Sequence, residues 1–232
     1  MLIRKIIPLL ILLVFTLMAC NSSNESSNVS VAAFENAIAK NNIQLLDVRS
    51  AEEYQSGHLK NALQADWNNS TSFQERAAAL NKANPIYTYC LSGARSNAAT
   101  EWLNANGFKA FNLEGGLRAW QQEGKAVEQL NTANQISLEA YFAQIPADKT
   151  VLVDFSAEWC PPCKKMAPTV DSLVAQYGSQ FALVKIDGAT QTTICNEMKI
   201  ENFPTFIIYK EAKEIWRYSG VLSMDAMLQH LQ

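Results

Sequence analysis

The run Val151-Leu152-Val153-Asp154-Phe155-Ser156-Ala157-Glu158-Trp159-Cys160-Pro161-Pro162-Cys163 decides how the second half of this chain folds. Val151 to Phe155 is apolar apart from one acid, and such a run reads as a buried strand. Pro161 and Pro162 suit the first turn of a helix, where a missing N–H costs little. Cys160 then stands at a helix N-terminus, with Cys163 one turn further in and more buried. The helix dipole and the free N–H of Cys163 favour a thiolate at Cys160. Two thiols at this spacing can close a small disulfide ring and open it again, which is redox chemistry. A Cys-x-x-Cys pair can also be half of a zinc site, but no second Cys or His pair stands at ligand spacing. As a purely structural bridge it closes too short a loop to stabilise much.

A chain of 232 residues allows one large domain or two small ones. Hydrophobic content of 48% against 18% charged fits globular cores behind an apolar leader. A net charge of −3 gives no basic field, so nucleic acid is not an expected partner. Of the cysteines Cys20, Cys90, Cys160, Cys163 and Cys195, only Cys160 and Cys163 form a local pair, which excludes a disulfide scaffold. No metal and no cofactor is expected.

At the start, Arg4 and Lys5 precede the apolar run Ile6 to Ala19. Residues 1–19 therefore read as a signal peptide; the run is short for a membrane span, so an uncleaved anchor fits less well. The run ends in Leu17-Met18-Ala19-Cys20, which resembles the lipobox of bacterial lipoproteins, although Met18 stands where a small residue is usual. The resemblance implies lipidation of Cys20 and a place in the cell envelope, anchored by lipid and facing the periplasm. An ordinary signal peptide with an incidental Cys20 is the alternative. Residues 20–29, rich in Asn and Ser, read as a flexible tether.

From Ser30 onward, strand and helix signals alternate, which predicts a parallel α/β sheet. Ser30 caps a helix with Val31, Phe34 and Ile38 on one face. Strands are expected at 43–48, 85–89 and 109–113, and helices at 51–55, 73–80, 97–106 and 117–122. The strand at 85–89 runs into Cys90-Leu91-Ser92-Gly93-Ala94-Arg95-Ser96. A loop folded round one thiol aims N–H groups at the sulfur, a helix start adds positive potential, and Arg95 adds a full cation. The plain alternative is a buried structural thiol.

Asp47-Val48-Arg49, Glu53-Tyr54, Gly57-His58-Leu59, Ala62, the Cys90 loop and Glu114-Gly115-Gly116-Leu117-Arg118-Ala119-Trp120 resemble a single rhodanese domain, over 30–127. The resemblance implies a sulfane sulfur carried as a persulfide on Cys90, cradled by Leu91, Ser92, Gly93, Ala94 and Arg95. It also implies a sulfane-sulfur donor as partner and structural roles for Asp47, Arg49 and His58. Leu91 and Ser92 are uncharged where thiosulfate-using members often carry a basic residue.

After a short polar connection over 125–134, residues 132–232 resemble the thioredoxin family. The features that carry this are Val151–Phe155, Ala157 to Cys160, Pro162-Cys163 and Phe203-Pro204-Thr205-Phe206. The resemblance implies a mixed disulfide at Cys160, resolution by Cys163, and proton transfer by Asp154, with Lys185 as a looser match to that acid's partner. It further implies a substrate groove of Trp159, Phe203, Pro204 and Gly220. Pro161 replaces the family's usual Gly, and Pro168 lies inside the long helix. Cys195 reads as a core or semi-exposed thiol.

The combined expectation is an α/β chain of two domains, rhodanese-like and then thioredoxin-like, acting as a protein-disulfide reductase with thiosulfate or polysulfide sulfurtransferase activity. Its partners would be protein disulfides or other thiols, a sulfur donor, an upstream electron donor and, through the anchor, a membrane. Two alternatives stay open: a rhodanese half that only docks a partner, and a net thiol oxidant. Sulfur on Cys90 could also pass to Cys160 within one chain. For the anchor, metabolic labelling with a fatty acid should mark the wild-type chain and not Cys20→Ala; equal labelling of both would exclude lipidation at Cys20.

Overall fold

A computed structural model describes residues 27–231; the expected signal peptide over 1–19, Cys20 and the stretch read as a tether up to residue 26 lie outside the described residues. Residues 28 and 29, expected within the flexible stretch 20–29, are instead ordered as a strand. Asn28–Val29 form a short strand, β1, beside the strand at 110–113, and the Ser27 carbonyl accepts from Asn112 N–H. β1 is an outer strand, so its backbone groups that face β5 gain ladder partners and the others do not.

The first sheet contains β1, β2 (Gln44–Asp47), β3 (Leu63–Gln64), β4 (Ile86–Tyr89) and β5 (Ala110–Leu113), in the order β1-β5-β4-β2-β3, all parallel. Side-chain alternation splits its faces. Tyr89 faces α1 (Val31–Ile38) and α5 (Gly116–Gln122), in a cluster with Phe34, Leu117 and Trp120. Ile86 and Cys90 face α3 (Ser70–Ala77) and α4 (Ala94–Ala105), in a second cluster with Phe73, Ala99 and Leu103. The short helix α2 (Ala51–Ser56) is held by a capping box between Ser50 and Glu53. Helices α3 and α4 each begin three residues before the expected start. The Asn69 side chain caps one, and the other starts directly out of the Cys90 loop. Strand β3 was not expected, because two residues carry no periodic signal.

The second sheet has the order β7-β6-β8-β9, from β6 (Thr150–Ser156), β7 (Phe181–Asp187), β8 (Thr205–Lys210) and β9 (Lys213–Ser219). Only β6 and β7 run parallel; β8 and β9 are antiparallel. Tyr141 from α6 (Leu138–Phe142) and Ile194 and Cys195 from α8 (Thr192–Glu197) cover one face with Val151, Val153 and Phe155. On the other, Leu152 meets Met166, Val170 and Leu173 of α7 (Pro161–Tyr177) and Met227 of α9 (Met224–Leu231). Asp154 shares its parity with Leu152 and so belongs to the α7 side.

The connection between the sheets lies against the first domain. Glu128 and His58 exchange backbone hydrogen bonds, the Ala126 carbonyl accepts from Trp120 Nε1, and Val127 and Leu130 join the core cluster of α1 and α5. Among the described residues no helix is long and apolar enough to cross a membrane.

Candidate functional site

Cys160 is the N-cap of α7, and Cys160 and Cys163 are joined in a disulfide. The Cys163 N–H donates to Cys160 Sγ at 3.2 Å, using one of the free donors of the first helical turn. Pro161 and Pro162 occupy positions whose N–H groups would be unpaired in any case. The Phe203 carbonyl oxygen lies 3.4 Å from the same sulfur, and Pro204 follows it. Gly220, at φ 111°, donates its N–H to the Pro204 carbonyl, so the end of β9 is tied to the segment facing the disulfide. Gly188 is a residue that sequence reasoning missed. A Cβ there would lie 2.2 Å from the Phe203 ring, so only glycine lets that ring take its place.

Burial of the pair is the reverse of expectation. Cys160 is 0% exposed and Cys163 7%, and Trp159 retains 5%. The cause is the first domain. The Gln64 N–H of edge strand β3 donates to the Trp159 carbonyl at 2.8 Å. The Tyr54 ring lies 5.7 Å from the Trp159 ring, and the Arg76 guanidinium sits over it at 5.3 Å. The sequence offered no signal for these contacts, because Gln64 and Arg76 are ordinary surface residue types. Below them, a groove of about 490 Å³ runs between Glu75, Arg76 and Ala79 of the first domain and Pro162, Lys165, Phe203 and Gly220 of the second.

Asp154 is buried, and its Oδ1 has no hydrogen-bond partner. Burial pushes its carboxyl up to about 6, against the pull of Lys185 and a hydrogen bond from Ser156. Lys185 is its cross-strand neighbour on β7 and also pairs with Asp171 at 3.7 Å.

The second thiol, Cys90, is buried and free. The Gly93 N–H donates to its Sγ at 3.1 Å, and the Ser96 hydroxyl at 3.4 Å. Burial pushes the thiol up, but the Ser96 hydroxyl and the N–H groups of Ser96, Ser92 and Gly93 outweigh it, and the net shift is downward. Ser92 and Gly93 thus turn backbone N–H groups toward the thiol, and Ser96 joins them from the start of α4. Leu91 instead turns its carbonyl to Arg118 N–H, and Ala94 opens α4. Arg95, expected as a full cation beside the thiol, feels the charge of Cys90 and also holds Glu53 through two hydrogen bonds of 2.8 and 2.7 Å. Gly116 lets the following loop close over the site, since a Cβ there would lie 2.5 Å from the Cys90 carbonyl oxygen.

Asp47 and Arg49 form a buried ion pair, and Arg49 also donates to the Gly57 carbonyl. His58 stacks on Tyr54 and bonds its carbonyl through Nδ1. These groups brace the first domain. Cys195 lies in the core, and burial raises its thiol to about 11.

The thioredoxin family model matches residues 132–232, and the rhodanese-like domain model matches residues 30–123. A thioredoxin-like protein of Synechocystis sp. is 36% identical over 95 residues, which are 40% of this chain and 90% of that protein. The chain belongs to the thioredoxin family. Thioredoxin of Chlamydia trachomatis is 30% identical over 95 residues, 41% of this chain and 92% of that one. The chloroplast thioredoxin Y of rice is 40% identical over 86 residues, 37% of this chain; the chain spans about half the length of that relative. A solved rhodanese-like domain protein from Staphylococcus aureus is 30% identical, with a TM-score of 0.39, covering 45% of this chain and 98% of that one. The protein is thus a thioredoxin domain preceded by a rhodanese-like domain.

Because the folded Asp154 ionises near 6 and the unfolded one near 3.8, its penalty is absent below the lower value and complete above the upper. This contribution to stability should therefore fall, by on the order of 3 kcal/mol, as pH rises through that window. Chemical denaturation at pH 3.5 and pH 7 should show the wild type losing this much stability relative to Asp154→Asn, since the other carboxylates are common to both; an equal change in both proteins would refute it.

Proposed function

We propose that this protein is a thiol–disulfide oxidoreductase, working as a protein-disulfide reductase, whose rhodanese-like domain carries sulfur as a persulfide on Cys90. The observation that supports it best is the closed Cys160–Cys163 disulfide at the start of α7, beside the Phe203 carbonyl and on the same side of the sheet as buried Asp154. In the reduced protein, the Cys160 thiolate attacks a substrate disulfide and forms a mixed disulfide, releasing one substrate thiolate. Cys163 then attacks Cys160 Sγ, its proton passing to Asp154, and the second substrate thiol leaves. Two electrons have moved to the substrate, and an upstream dithiol restores the pair. Trp159, Phe203, Pro204 and Gly220 line the approach.

In the rhodanese-like domain, the Cys90 thiolate attacks the outer sulfur of a sulfane-sulfur donor such as thiosulfate or a polysulfide; an S–S bond forms on Cys90, the donor's own bond to that sulfur breaks, and sulfite or the shortened polysulfide leaves. The loop N–H groups hold the terminal sulfur's charge. We further propose that the chain is anchored through lipid on Cys20 and works in the cell envelope, facing the periplasm, where protein disulfides are available as substrates. A second reading has one observation in its favour. The rhodanese-like domain sits directly on Trp159, as a docking module would.

The reduced protein should cleave insulin disulfides with dithiothreitol as donor, and Cys160→Ser should lose at least a hundredfold in rate; full activity in that variant would refute the assignment. Mass spectrometry after incubation with thiosulfate or polysulfide should show one added sulfur on Cys90. No addition with either donor would favour the docking reading.

A further inference from the structure

We infer that the rhodanese-like domain is a cover on the redox disulfide, and that Gln64, Tyr54 and Arg76 decide which partners reach Cys160. The inference rests on the oxidoreductase reading given above and adds its control by the neighbouring domain.

Three observations carry it. The first is occlusion. Trp159 and Cys160 belong to the same buried cluster as Tyr54, Leu59 and Ala62 of the rhodanese-like domain. No surface of Cys160 is open to a partner in this arrangement. The second is that the contact is built from specific groups. Strand β3 is the outer strand of its sheet, and an outer strand leaves backbone donors without a ladder partner. The Gln64 N–H is such a donor, and the Trp159 carbonyl takes it. Arg76 binds the Gln64 carbonyl and its Oε1, both at 3.2 Å, and lays its guanidinium over the indole. Among the described residues it has no ion pair, so its orientation is set by Gln64 and Trp159.

The third observation is that the seat is incomplete. The Trp159 indole Nε1 is buried with no hydrogen-bond partner. A buried donor left unpaired carries its desolvation cost, and that cost is relieved when the surface opens to water. The unpaired indole N–H therefore weighs against the docked state, which the Gln64 and Arg76 contacts hold in place. A dithiol can attack Cys160 Sγ only after the domains part. Its thiolate then forms the mixed disulfide, Cys163 leaves as thiolate and takes a proton. The second thiol of the reductant, losing its proton, then attacks the mixed disulfide at the reductant's own sulfur; the bond to Cys160 Sγ breaks, Cys160 leaves as thiolate, and two electrons have passed to the protein. The cover also keeps Cys160 away from Cys90, which lies in the cluster on the opposite face of the first sheet. A direct sulfur exchange between them needs the same parting.

The test uses the full chain and two variants. Arg76→Ala removes the group over the indole. Ala79→Arg places a long side chain in the cleft between α3 and α7, where half-buried Ala79 faces Pro162 and Lys165. Hydrogen exchange followed by mass spectrometry reads docking. The segments at 60–66 and 157–165 should exchange at least tenfold faster in either variant than in the oxidised wild type, with the β4 and β8 segments unchanged. Reduction by dithiothreitol reads access, and its rate constant should rise at least fivefold in the same variants. Equal exchange in all three proteins would overturn the docked cover. Faster exchange with an unchanged reduction rate would overturn its control of access. Should one variant fail to keep β4 and β8 protected, the other decides. Loss of insulin reduction in every protein would strike the oxidoreductase reading alone, because exchange and dithiothreitol access do not depend on it.

Discussion

Each half of the chain places a cysteine sulfur where a strand ends and a helix begins. In each, the N–H three residues on points back at that sulfur, from Gly93 to Cys90 at 3.1 Å and from Cys163 to Cys160 at 3.2 Å. The constraint behind both is the same. The first turn of a helix has donors with no intrahelical acceptor, and a sulfur that becomes negative is a good acceptor for them. The rest of each domain supports that junction. Parallel strands deliver the sulfur to one end of the sheet, and the helices that cover the faces fix the direction of the turn.

Around this shared device the two sites differ in what stands behind the sulfur. Cys160 has a second thiol and, on the same side of its sheet, a carboxylic acid held near neutral pKa by burial. That set can pass a proton and close a disulfide. Cys90 has a hydroxyl and a ring of backbone donors, with its nearest guanidinium committed to Glu53. That set holds a charged sulfur in place and offers no second sulfur to displace it. The first set suits thiol–disulfide exchange, and the second suits the sulfur carriage proposed for Cys90.

The contact between the halves joins two elements of low intrinsic stability. Apart, a two-residue outer strand and the Trp159 indole would each leave polar groups and apolar surface open to water; together each covers part of the other. The closed surface is also the one the second domain would present to partners. The fusion therefore links reactivity to domain position, without any change inside either fold.

Much was legible in the residues. The strand–Cys–Pro–Pro–Cys order fixed the redox pair and its helix, because periodicity and the rules for helix starts are local. The Cys90 loop was legible for the same reason, since Gly93 and the following helix lie within one turn of the thiol. Local pattern did not reach strand β3, the pairing of Arg95 with Glu53, the seat of Phe203 against Gly188, or the greater burial of Cys160. Each of these joins residues far apart in the chain. Glu53 and Arg95 are separated by 42 positions, and Gln64 and Trp159 by almost a hundred, so no window of sequence holds both partners. The sequence by itself determined which atoms can react, because reactivity follows residue type and the helix end beside it. The tertiary structure alone decided whether they can be reached, because burial depends on what the rest of the chain packs against them.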